Sequence, residues 1–97
     1  MKTLKYWYIT AVRKGEWKCC IAHGIVHGHQ CLGDGIKIHT SAISAATVER
    51  DMAVIKTKNS EYHCRLDKAS FDLFDEQGRG VLPGFENLRE KYERRLE

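Results

Sequence analysis

The 97 residues are 42% apolar and 30% charged, with one proline and eight glycines, which excludes the disordered and collagen-like classes and leaves one globular domain. A chain of this length buries only about two thirds of its unfolded surface, so it has one modest core. Sixteen Lys and Arg against thirteen Asp and Glu leave +3, short of the strong basic stripe of a dedicated nucleic-acid binder.

Residues 4–13 are rich in Tyr, Trp, Ile, Thr and Val, types that suit a pleated, half-buried surface, and Lys14-Gly15-Glu16 punctuates them. Residues 17–26 resume the pattern, so the pair reads as an antiparallel hairpin. Period-two alternation sets Trp17, Cys19, Ile21, His23 and Ile25 opposite Lys18, Cys20, Ala22, Gly24 and Val26. Gly24 and Gly28 point to a bulge or bend in this second strand. A turn at Leu32-Gly33-Asp34-Gly35 leads to a third strand over 36–43. A polar stretch over 48–51 then precedes a fourth strand over 52–58, and a turn at Asn59-Ser60 precedes a fifth over 61–66. After Asp67 the β pattern stops. Phe71, Leu73 and Phe74 read as aromatic and aliphatic caps on the core, and Gln77-Gly78-Arg79-Gly80 as an exposed loop. Beyond Pro83, the spacing of Phe85, Leu88, Tyr92 and Leu96 predicts an amphipathic helix over 84–96.

The expected fold is mainly β (α+β): a single domain over 1–97, built as a small five-stranded antiparallel curled sheet or an SH3- or OB-like barrel, with one C-terminal amphipathic helix. The first residues, Met1-Lys2-Thr3-Leu4-Lys5, lack the apolar core of a signal peptide, and nowhere do eighteen apolar residues run together. The expected location is therefore the cytoplasm, of a bacterium or of an infected one, with no membrane partner. Cys19, Cys20, Cys31 and Cys64 are then reduced thiols or metal ligands rather than a disulfide framework.

Cys19, Cys20, His23, His27, His29 and Cys31 concentrate soft ligands, and a straight strand would place His27, His29 and Cys31 on one face, as a zinc site needs. No C-x-x-C pair accompanies them, so the expectation is no metal and no cofactor, with Cys19, Cys20 and Cys64 as small buried hydrophobes. His27 and His29 remain candidates to meet a phosphate or carboxylate when protonated. The second candidate is the segment from Gly33 to Ser41. Lys37, His39 and Ser41 share a strand face, and with Thr40 they offer hydroxyl, imidazole and ammonium groups to an anionic or nucleotide-like ligand. Neither a P-loop nor a dinucleotide fingerprint is present, and no Ser, His and acid order matches a nucleophile elbow, so no catalytic residue is assigned. The third candidate is Tyr6, Trp7, Tyr8 and Trp17 among cations, a set able to stack bases; alternation places Tyr6 and Tyr8 on the face opposite Trp7.

At Ile38-His39-Thr40-Ser41-Ala42-Ile43 and again from Val54 to Tyr62, the chain resembles short proteins common in bacterial and phage genomes. The resemblance implies a stoichiometric inhibitor of host defence that blocks a defence protein or sequesters its nucleotide signal. Three readings are open: such a non-enzymatic binding protein, expected as a homo-oligomer; a nucleic-acid-binding module, with or without a structural zinc; and a small hydrolase.

Overall fold

The structure is a computed structural model that describes residues 1–74 and 80–95. Seven strands form one curled, unclosed sheet: β1 (Lys2–Lys14), β2 (Trp17–His27), β3 (Ile36–His39), β4 (Ile43–Glu49), β5 (Met52–Thr57), β6 (Glu61–Arg65) and β7 (Ala69–Phe74). A turn of 3-10 helix (Leu66–Lys68) links β6 to β7, and helix α1 (Phe85–Arg95) closes the described chain. The spatial order is β3-β2-β1-β6-β5-β4, with β7 also paired to β1. The mainly β class with one C-terminal helix is as expected. The strand count is seven rather than five, and the sheet is mixed rather than antiparallel, because β1 pairs in parallel with both β6 and β7.

Both added strands come from segments with weak β signals. The expected strand over 36–43 breaks at Thr40, and Ile43 starts a separate strand that turns back at Arg50-Asp51 onto β5. Arg50 takes a left-handed φ of 55° in that tight turn. β7 lies where the pattern was expected to stop; it joins β1 at Trp7↔Ala69 and Ile9↔Phe74. Of the expected loop only Gly80 lies within the described residues, and Leu96 of the expected helical stripe lies outside them.

The hairpin β1–β2 carries the decisive irregularity. Lys5 pairs with Ile25 but Tyr8 pairs with His23, so Tyr6 and Trp7 together oppose Gly24. The bulge therefore sits on β1, with the glycine across from it. Tyr6 adopts φ 53°, and a Cβ on Gly24 would press on the Lys5 carbonyl at 3.1 Å and on the Cβ atoms of Leu4 and Trp7 at 3.2 Å. The extra residue shifts the alternation by one. Leu4, Trp7 and Ile9 consequently all face inward, a combination that unbroken period-two alternation does not allow.

The inward face holds the core: Trp7, Val26, Ile55, Leu66 and Leu88 are fully buried, and Cys20 and Cys64 pack among them. Trp7 also ties the parallel seam, its indole N–H donating to the Arg65 carbonyl at 2.8 Å. α1 lays Phe85 and Leu88 on this face beside β4, and Tyr92 is partly buried against it. The approach is close enough that a Cβ on Gly84 would collide with the Ala46 carbonyl oxygen. Among the described residues no helix is long and apolar enough to cross a membrane.

Candidate functional site: the open face of strands β1, β2 and β3

Among the described residues no helix lies over the other face of the sheet. Register across β1, β2 and β3 aligns Tyr8 with His23 and His23 with His39, giving one row of three rings that crosses three strands. The adjacent row is Lys5, Ile25 and Lys37, because Lys5 pairs with Ile25 and Ile25 with Lys37. Beyond it, Thr3 pairs with both His27 and His63, so four of the chain's five histidines stand on this face.

The ring row is built, not incidental. Tyr8 and His23 stack with centroids 4.5 Å apart and planes within 5°, and His39 lies 6.2 Å from His23, tilted by 46°. Thr10 Oγ1 meets His23 Nε2 at 2.9 Å and fixes the imidazole plane. Partial burial holds the His23 pKa below the ordinary histidine value of 6.5, and the nearby His39 and Lys37 push it the same way. The face is thus half-buried at Tyr8, His23 and Ile25 and exposed at Lys5, Lys37 and His39. Among the described residues no carboxylate pairs with Lys5 or Lys37. Anions are attracted to such a surface; Tyr8 and His23 already stack on each other, so a further planar group can meet only an outer face of that stack.

The expected site residues divide. Lys37 and His39 stand together on β3 with His23 beside them, a partner that sequence reading had grouped only with soft metal ligands. Thr40 does not join them: it is 5% exposed, accepts from the Ala22 N–H at 3.0 Å and donates to the Ser41 carbonyl at 2.8 Å. Its hydroxyl stitches the end of β3 to β2, and with its one proton committed and the side chain buried it has no donor left for an anionic ligand. Ser41 is exposed but lies in the bend after β3, off the strand face. His27 is on the open face two positions beyond Ile25. His29 is in the following loop, where its Nδ1 accepts from the N–H groups of Cys31 (3.1 Å) and Leu32 (3.3 Å). That loop is further pinned by Asp34, which accepts from the Gly28 N–H at 2.8 Å. The straight strand that would have set His27, His29 and Cys31 side by side therefore ends at His27.

Among the described residues no three His, Cys, Asp or Glu side chains converge as a metal site would require. Burial pushes the Cys64 thiol up to about 12, which leaves it without nucleophilic thiolate near neutral pH. Of the aromatic set, Trp7 is core, Tyr8 belongs to the ring row, and Tyr6 and Trp17 are 64% and 57% exposed. Comparison of the chain with protein-family models, curated proteins and solved structures finds no match.

Proposed function

We propose that this protein is a non-enzymatic binding module whose open β1–β2–β3 face takes an anionic, planar, nucleotide-like ligand. The observation that carries the reading is the in-register pair of rows: rings at Tyr8, His23 and His39, and cations at Lys5 and Lys37. A base stacked on an outer face of the ring row places its phosphate toward the ammonium groups of the adjacent row, two residues away on β3 (His39 to Lys37) and three on β1 (Tyr8 to Lys5, across the bulge). Stoichiometric sequestration is the role such a surface performs. Under the resemblance to phage-encoded proteins read from residues 38–43 and 54–62, the nucleotide signal of a bacterial defence system is the ligand class to examine first. β3 and β4 end the sheet as edges, and edge pairing is the route by which a homo-oligomer would assemble.

Isothermal titration with adenosine 5′-monophosphate, using adenosine and inorganic phosphate as controls, tests the proposal. Saturable binding of the monophosphate is expected, stronger than either control and weakened tenfold or more in Lys37→Ala/His39→Ala. The ligand should be recovered unchanged after prolonged incubation. Equal heats for all three compounds, or wild-type affinity in the double variant, would overturn it.

A further inference from the structure

The backbone ladder between β1 and β6 runs through Lys2↔Tyr62 and Thr3↔His63. Beyond that point β1 enters its bulge at Tyr6 while β6 ends at Arg65, and the strands part. The gap is a cleft of about 240 Å³ with buried Leu4 among its lining residues, Thr3 and Lys5 on one wall, and His63, Arg65 and Lys68 on the other. Asp67 holds Arg65 through two bonds of 2.9 and 2.7 Å, and Glu61 lies 3.7 Å from His63. Among the described residues neither Lys5 nor Lys68 has a carboxylate partner. Leu4 and Met52 make the lining of the cleft largely apolar, and the exposed Lys5 and Lys68 give it a second cationic rim, with Lys5 shared between that rim and the Lys5-Ile25-Lys37 row.

Spacing decides whether one phosphate can serve both positions. Lys5 and Lys37 are two strand spacings apart, roughly 10 Å, and their ammonium groups can close on one phosphate over Ile25. Lys68 stands on the other side of β1, beyond the parted strands, so a phosphate over Ile25 does not reach it. We infer that the β1–β6 cleft receives a second phosphate of the same ligand, so that the ligand is a single-stranded oligonucleotide of two or more nucleotides rather than a mononucleotide. This rests on the reading of the open face given above. One base stacks on an outer face of the ring row while the backbone crosses the strands from Lys37 over Lys5 to the rim of the cleft. The strand-parting bulge thus has a use: it opens a groove where a continuous sheet would present only a flat surface.

The test is a length series of adenosine 5′-monophosphate and the 5′-phosphorylated dinucleotide and tetranucleotide, each in ribose and deoxyribose form, titrated into wild type, Lys68→Gln and Lys37→Gln at two salt concentrations. Affinity should rise at least tenfold from monophosphate to dinucleotide. The slope of log K against log salt should steepen by about 0.7 for the added phosphate. Lys68→Gln should erase that gain and leave monophosphate binding untouched, whereas Lys37→Gln should weaken every ligand. Equal affinity for monophosphate and oligonucleotides, or a length gain that survives in Lys68→Gln, overturns the inference while the open-face reading stands. Absence of binding by all ligands overturns both.

Discussion

The strands on the two sides of the β1–β6 seam differ in a way that the overall charge of +3 conceals. β1, β2 and β3 carry Lys2, Lys5, Arg13, Lys14, Lys18 and Lys37 and no Asp or Glu. β4, β5 and β6 mix Glu49 and Glu61 with Lys56 and Arg65. The first group also presents the stacked rings, while the open face of the second shows Thr47, Val54 and Met52 among its charges. A whole-chain sum is a poor guide to partners when the carboxylates are segregated into other parts of the chain; the field at a surface depends on the charges within about a Debye length of it. On the open face of β1, β2 and β3 the mild excess that argued against a polyanion shows as Lys5 and Lys37 side by side, with no Asp or Glu on those three strands.

The sharpest way to break this division is at the seam that holds the halves together. Trp7→Ala removes a fully buried indole and its bond to the Arg65 carbonyl, and should cost about 3–5 kcal/mol in denaturant unfolding. Trp7→Phe keeps most of the packing and should cost clearly less. A loss near zero for Trp7→Ala would mean that the halves are joined elsewhere.

Next in size is charge reversal. Lys37→Glu should reduce oligonucleotide affinity by a hundredfold or more in fluorescence anisotropy, whereas Lys56→Glu on the mixed half should change it less than threefold. Similar losses at both positions would show that the charge difference between the halves is not what the ligand senses. Removing a ring comes after: Tyr8→Ala should cost about 1–3 kcal/mol of binding, the range for one lost base stack, and Tyr8→Phe should restore nearly all of it.

The smallest expected effect concerns acid. Because the folded state holds His23 below the ordinary value, the unfolded chain takes up its proton first as pH falls. The contribution is present at pH 7.5 and is lost as pH drops through 6.5 and then through the lower folded value. Melting temperatures at pH 7.5 and 5.5 should therefore fall less in His23→Gln than in wild type. An anion on the face opposes the repulsion from His39 and Lys37, so binding should be accompanied by proton uptake and strengthen from pH 8 to 6; equal affinities across that range would remove His23 from the site.

How far these features were legible in the sequence follows the physics of each. The hairpin β1–β2, the β5–β6 hairpin and α1 announce themselves through local composition, turn residues and helical spacing. Lys37 and His39 could be paired from alternation on β3 alone. The ring row could not, because it depends on register across three strands, and that register is set by one extra residue at Tyr6-Trp7. Gly24 was the available signal, since a glycine inside a strand marks a bulge or a close backbone approach; it gave the place but not which strand bulges. Thr40 misled for a different reason: a hydroxyl in a polar run resembles a ligand donor, and only the end of β3 reveals that it serves the Ala22 N–H. The parallel pairings of β1 join residues some 60 positions apart and leave no local trace.

Those pairings also set an order of assembly. β1 is the first strand of the chain, yet its second edge is complete only when β6 and β7 are laid along it at Thr3↔His63 and Ile9↔Phe74. The β1–β2 and β4–β5–β6 hairpins close short loops and can form quickly, whereas docking them through a parallel junction must close a loop of about 60 residues. The slow step in refolding should therefore be the meeting of two preformed ribbons, and the unpaired edge of β1 is the surface most exposed to wrong partners until it occurs.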